Sequence, residues 1–211
     1  MDREEFTSFY APSFPRLVGQ LSAMTGNRPE AQDAVQEAFV RAWAHRDQIN
    51  TGREAEAWVR VTAWQIAVSR WQRARKGLRL MLLAARPDVA AGPGPDRIAF
   101  VEALRKVPAE QRRALVLYHL VDLTVQQIAA ETRVRPGTVK ARLARGRAAL
   151  APYLRKRSHR WASDWPGGIP VSDLKDELQQ LADDAASQAR PLAVADVIRR
   201  ADRRHRRTIT G

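Results

Sequence analysis

The chain is predicted to be all-α: two small helical domains joined by a flexible linker, followed by a helical C-terminal extension. Strand signals are sparse throughout its 211 residues. Apolar side chains recur instead at helical spacing, and two of those stretches open on capping-box pairs, Asn27 with Glu30 and Thr124 with Gln127. A Pro/Gly-rich stretch across residues 86–96 cannot continue a helix and divides the chain. The length suits two bodies of fewer than about 100 residues each, neither very stable alone, rather than one large core. The boundaries read from these breaks are 1–77, a linker at 78–98, 99–154, and an extension over 155–211.

In chain order, the first strong helix runs through AQDAVQEAFVRAWAHRDQI, where Ala31, Val35, Ala38, Phe39 and Ala42 repeat as one buried face. Asp33, Gln36, Glu37 and Arg41 point elsewhere. The next, AWVRVTAWQIAVSRWQRARK, is apolar around most of its circumference but gathers Thr62, Gln65, Ser69 and Arg73 on a polar strip. Trp58 reads as a core anchor. Trp64 and Trp71, interleaved with Arg60, Arg70, Arg73, Arg75 and Lys76, have the composition of a single-strand binding surface, where bases stack on rings and cations follow the backbone. The linker GLRLMLLAARPDVAAGPGPDRIAF carries an apolar patch from Leu78 to Ala85 before its prolines and glycines.

After the linker, TVQQIAAETRVRPGTVKARLARGR reads as two short helices joined by a tight turn. Ile128 and Ala129 give the first helix its apolar face, with Ala129 small enough for a close crossing; Val134 sits in the turn. Pro136 suits the opening of the second helix, since its φ is already helical and its missing N–H would be unpaired there. Val139 and Leu143 form the buried stripe of that helix. Thr138, Lys140, Ala141, Arg142 and Arg145 fall on or beside the opposite face, and Arg135 stands at its start. On such a helix Arg and Lys reach guanine edges or phosphates in a major groove, although an Arg-rich helix can also be only a solvated face.

This segment, with ALRKVPAEQRRALVLYHLVDL before it and RAALAPYL after it, resembles region 4 of bacterial sigma factors, in particular the extracytoplasmic-function (ECF) group. The helix from Ala31 to Ile49 resembles the core-polymerase-binding helix of region 2, and the helix from Ala57 to Lys76 resembles the segment that reads and melts the minus-10 element. The resemblance implies a minus-35 contact for Arg135, Thr138, Lys140, Ala141, Arg142 and Arg145. It implies a minus-10 contact for Arg60, Trp64, Gln65, Ser69, Arg70, Trp71 and Arg73, and polymerase docking for Asp33, Gln36 and Glu37 with Arg41 beside them. Several positions depart from the family pattern. Gln65 replaces an Asn, Ser69 an Asp and Trp64 a commonly basic residue; Arg133 replaces the turn glycine and Arg135 the N-cap serine. A changed minus-10 sequence and a slightly weaker or reshaped turn are therefore expected. Asp88 and Asp96 lie where the family's linker threads along the polymerase.

The composition agrees: 36 Lys plus Arg against 23 Asp plus Glu give a net charge of +13, which suits a polyanionic partner. The absence of cysteine excludes a disulfide framework, a thiol nucleophile and Cys-ligated zinc. His45, His119, His159 and His205 are scattered without ligand-like pairing, and no glycine-rich phosphate loop appears. No enzymatic activity, metal or cofactor is expected. The N-terminus lacks the charged-then-apolar order of a signal peptide, and no run of about 18 apolar residues exists, so the expected location is the cytoplasm. The expected partners are core RNA polymerase and promoter DNA, with an anti-sigma factor left open.

Beyond Leu154 the resemblance stops. A basic patch, RKRSHR, and a second Pro/Gly punctuation, WASDWPGGIP, precede an acidic amphipathic helix in which Leu174, Leu178, Leu181 and Ala185 stand at helical spacing among Asp173, Asp176, Glu177, Asp183 and Asp184. Its carboxylates complement the cationic reading surface, an arrangement that would be autoinhibitory; a stabilising helix or spacer is the alternative. The cationic end VIRRADRRHRRTITG suits phosphate or anionic-lipid contact. A stand-alone helix-turn-helix regulator, which would not need Ala31 to Lys76, and a sigma-like interaction protein without promoter opening are the rival readings.

Overall fold

The computed structural model describes residues 1–49, 52–78, 95–157 and 171–209. Among them are nine α-helices, a single 3-10 turn at Arg46–Gln48 and no strand. The helices are α1 (Arg3–Thr25), α2 (Arg28–Ala44), α3 (Arg53–Leu78), α4 (Pro95–Lys106), α5 (Ala109–His119), α6 (Val125–Thr132), α7 (Pro136–Arg157), α8 (Val171–Ser187) and α9 (Val194–Ile209). The expected all-α class is thus the observed one. The apolar linker patch beyond Leu78, Asp88 and the basic patch after Arg157 lie outside the described residues. Helix α4 begins inside the stretch expected to be linker.

The chain divides into two units: Met1–Ser22, Asn27–Pro87 and Asp183–Gly211 in the first, Ala23–Gly26 and Asp88–Ala182 in the second. In the first, Phe6, Tyr10 and Phe14 recur every fourth residue of α1 and are buried. Phe6 and Tyr10 meet α2 edge-on, Phe6 at 5.0 Å from Trp43 and Tyr10 at 4.8 Å from Phe39 between ring centroids. Edge-to-face contacts set the complementary charges of the ring faces and edges together, which makes this cluster the main apolar anchor of the unit. Small residues on α2, Ala31, Ala34 and Ala38, are wholly buried, and α3 packs along that helix. Asn27 caps α2 by accepting the Glu30 N–H at 3.2 Å. The Glu30 carboxylate faces Arg70 of α3 at 3.5 Å, where it gains an opposite charge.

The second unit is built on α4–α7, with Phe100, Leu104, Leu115, Leu117, Ile128, Val139, Leu143 and Leu150 buried. At its centre Arg112 is only 7 % exposed. Its guanidinium donates to the carbonyls of Met24 (2.5 Å), Leu104 (3.0 Å), Arg105 (3.3 Å) and Thr25 (3.3 Å). Those are the orphan acceptors that a helix end leaves behind, so one cation caps the end of α4 and the Met24–Thr25 turn together. Burial and the neighbouring Arg105 lower its pKa to about 10, still well above neutrality.

The extension does not fold as one body. The apolar stripe of α8 buries Leu174, Leu178, Ala182 and Ala185, with Leu181 half-buried. The cationic end forms α9 and packs along α2 within the first unit. Its apolar side chains at Val197 and Ala201, one turn apart, are buried.

Candidate nucleic-acid interface

The helix-turn-helix is assembled by local rules. Thr124 and Gln127 close a reciprocal capping box, with bonds of 2.8 and 3.2 Å. At the other end of α6, Arg133 adopts φ 55°, and the amides of Arg133 and Val134 donate to Ala130 and Ala129. That is the Schellman arrangement, which usually carries glycine; a side chain at positive φ strains the turn by roughly 1 kcal/mol without abolishing it. Helix α7 then starts at Pro136, and the Arg135 carbonyl accepts the Thr138 N–H at 2.9 Å. Burial of Ile128, Ala129, Val139 and Leu143 joins α6 to α7.

On the outer face of α7, Arg135, Thr138, Lys140 and Arg145 are exposed and Ala141 is half-buried. Arg142 is held back: its guanidinium pairs with Glu110 of α5 at 3.0 Å. Behind the face, Gly146 lies against Leu115, where an added Cβ would come within 2.9 Å of its side chain. A glycine inside the reading helix therefore permits close approach of α5, which outweighs its helix-propensity cost of about 1 kcal/mol.

A second brace joins α5 to α7. Arg147 donates to Nε2 of His119 at 3.3 Å and lies over the Tyr118 ring at 5.2 Å. Accepting from a guanidinium requires the neutral imidazole. Burial, reinforced by Arg147 and Lys175 and opposed by Asp122, lowers the His119 pKa from 6.5 to about 4. The unfolded chain therefore takes up the proton first as pH falls, and stability is expected to rise with pH between about 4 and 6.5 and to level off above. The expected span is roughly 1 to 3 kcal/mol, discounted for partial solvent access. Denaturation midpoints of the wild type and His119→Gln across that window measure it; equal slopes would refute the role given to this ring.

The polar strip of α3 forms the second candidate surface. Gln65, Ser69 and Arg73 are exposed and Arg70 is half-buried; with Glu37, Arg41 and Ile66 they line a cleft of about 430 Å³. Trp71 is the large apolar side chain most open to solvent among the described residues, at 57 %. Two expectations fail here on burial. Trp64 is 5 % exposed and Arg60 6 %, the latter with Glu56 at 3.9 Å. Helix α3 is apolar on more than one side, and these two residues fall on sides turned into the first unit, so neither offers a face to a base or phosphate. Trp58 is half-buried beside His45 at 5.9 Å rather than a core anchor.

On α2, Asp33 is exposed, Gln36 half-buried, and Glu37 pairs with Arg41 at 3.0 Å. Glu30 and Glu37 thus balance two of the nearby arginines. On the acidic helix α8, Lys175 pairs with Asp122 at 2.7 Å and Glu177 is buried. Missed in the sequence were the clamps around the site, Glu110, Arg112, Gly146 and the His119–Arg147 pair. Only Gly146 carried a signal, a glycine interrupting an otherwise regular helix.

Residues 9–77 match the family model of sigma-70 region 2, and residues 97–150 match that of sigma-70 region 4. The chain is similar to the ECF RNA polymerase sigma factor SigW of Bacillus subtilis, 30% identical over 148 residues that span 63% of this chain and 79% of SigW. It is 29% identical over 131 residues to the ECF RNA polymerase sigma factor SigL of Mycobacterium tuberculosis, spanning 57% of this chain and 72% of SigL. Among solved structures, the sigma factor RpoE of Bartonella quintana, crystallised with the anti-sigma factor NepR, has the same fold with a TM-score of 0.64. That match is 24% identical and covers 72% of this chain and 98% of RpoE. None of the described helices is long and apolar enough to cross a membrane.

Proposed function

This chain belongs to the sigma-70 family of RNA polymerase sigma factors, in the ECF group, and from that membership we propose how its residues divide the work of starting transcription. As a sigma factor it joins core RNA polymerase and directs initiation at promoters. On our reading, α2 docks on the polymerase through Asp33, Gln36, Glu37 and Arg41. Helix α7 reads the minus-35 element through Arg135, Thr138, Lys140, Arg142 and Arg145, with Ala141 offering a small apolar contact. The α3 strip of Gln65, Ser69, Arg70, Trp71 and Arg73 receives the unpaired minus-10 strand; buried Arg60 and Trp64 support it from inside. The observation that carries this reading is the pair of cationic, partly exposed helices, α3 and α7, each within a segment matching its own sigma-70 region.

Strand opening on this mechanism needs binding energy alone, because nucleotidyl transfer belongs to the polymerase. Its working compartment on this reading is the cytoplasm. Reconstituted run-off transcription tests the whole: transcripts should appear from a cognate promoter only when this chain is added to core enzyme. A requirement for a resident sigma, or no transcript at all, would overturn it.

Trp71 separates opening from recognition. Stacking of one base on an aromatic ring is worth about 1 to 3 kcal/mol. Trp71→Ala should therefore lower permanganate reactivity of minus-10 thymines at least fivefold while minus-35 protection stays. Unchanged reactivity would remove Trp71 from the strand-capturing set.

A further inference from the structure

Resting on the reading of α2 as the polymerase-docking helix, we propose that the C-terminal segment from Ser187 through α9 is a built-in, displaceable cover on one flank of that helix, so that tail and polymerase compete for it.

Four observations within the first unit carry this. Helix α9 lies along α2 and buries Val197 and Ala201 there. The Arg190 backbone N–H donates to the Gln32 side chain at 3.0 Å, and Arg28 of α2 donates to the Gln188 carbonyl at 3.5 Å. Gln32 and Gln36 are one turn apart on one face of α2, with Asp33 beside them. Next to Gln36 the Tyr10 hydroxyl is buried, its pKa raised to about 12, with the Leu192 backbone facing it. The tail thus reaches the Gln32–Gln36 flank of α2, while Glu37 and Arg41 line the other cleft.

The seat is built to be left. Its buried apolar groups are small, and an open polar groove of about 650 Å³ runs between Arg28, Gln32 and Asp33 and the Gln188–Arg190 segment. Arg199 and Arg200, on the other side of α9, are exposed, and Arg199 is bonded to Asp196 of its own helix. A docking polymerase that spans Asp33 and Gln36 must displace this segment, and its apparent affinity falls by the fraction of chains in which the flank is free.

The chain has no cysteine, which permits a clean test. Gln32→Cys with Arg190→Cys, tied by a short thiol cross-linker, locks the tail down; Val197→Asp unseats it. Binding of labelled full-length chain to core RNA polymerase is measured by anisotropy. The locked chain should bind at least tenfold more weakly than the same untied variant, and Val197→Asp should bind about tenfold more tightly than wild type, as expected if some nine chains in ten are covered. Equal affinity of locked and untied chains would overturn the proposal even if Val197→Asp fails to fold. The docking reading is scored separately by Asp33→Lys with Glu37→Lys in the untied chain. Loss of binding there with no effect of locking refutes the cover alone, whereas undiminished binding refutes the docking reading and the cover with it.

Discussion

Alanine in place of Arg112 is expected to destabilise the second unit by about 3 to 5 kcal/mol. The guanidinium is the recorded partner of four carbonyls at two chain ends, Met24 and Thr25 on one side and Leu104 and Arg105 on the other. Removing it leaves those acceptors in a region water does not readily reach, each orphan costing about 1 to 3 kcal/mol, and opens a cavity as well. The cost of burying the charge, visible in its lowered pKa, is recovered and keeps the net loss below the simple sum. Arg112→Lys should rescue little, since one compact ammonium cannot reach both ends as the planar fork does. Amide hydrogen exchange on the intact chain gives the readout: protection at Leu115–Leu117 in α5 should fall by about 100-fold or more, using 1.4 kcal/mol per tenfold. A change under threefold would mean the carbonyls find water and Arg112 is dispensable.

Replacing Lys140 and Arg142 together by alanine is expected to lower minus-35 affinity by about 3 kcal/mol, or roughly 100-fold, given 1 to 3 kcal/mol for each well-placed base contact. The two side chains start from different states. Lys140 is exposed, whereas Arg142 is paired with Glu110 and must exchange that carboxylate for DNA. Arg142→Ala alone should therefore cost less than its DNA contact is worth, because the free protein gives up an ion pair as well. Where a lost cation contacted only phosphate, the salt dependence of binding should flatten by about one unit in the logarithmic slope. Competition binding to a minus-35 duplex at several salt concentrations separates these outcomes. Unaltered upstream protection by the double variant would show that another surface reads the element.

How much of this was legible depended on how far apart in the chain the interacting residues are. The helix-turn-helix could be read because every determinant lies within a few residues of its partner: Thr124 with Gln127, the Arg133 turn, Pro136, Val139 with Leu143. Covalent spacing brings such pairs together whatever the rest of the chain does. The choice of buried side on α3 could not be read. Its apolar residues leave several orientations open, and only the packing of the first unit turned Trp64 and Arg60 inward and left Trp71 outside. Arg112 in QRRAL looks like any solvated cation, and its role arises from carbonyls 87 and 88 residues earlier in the chain. The same holds for the tail. Val194, Val197, Ile198 and Ala201 mark α9 as two-sided, but a helix so far along the chain packs on α2 because burial compares all available apolar faces at once. Local spacing settled the helices that carry the two surfaces, α2, α3, α6 and α7, and which residue types stand ready to meet DNA; tertiary packing decided which of them reach the surface and what lies on α2, because burial and ion pairing are properties of neighbours that no single segment contains.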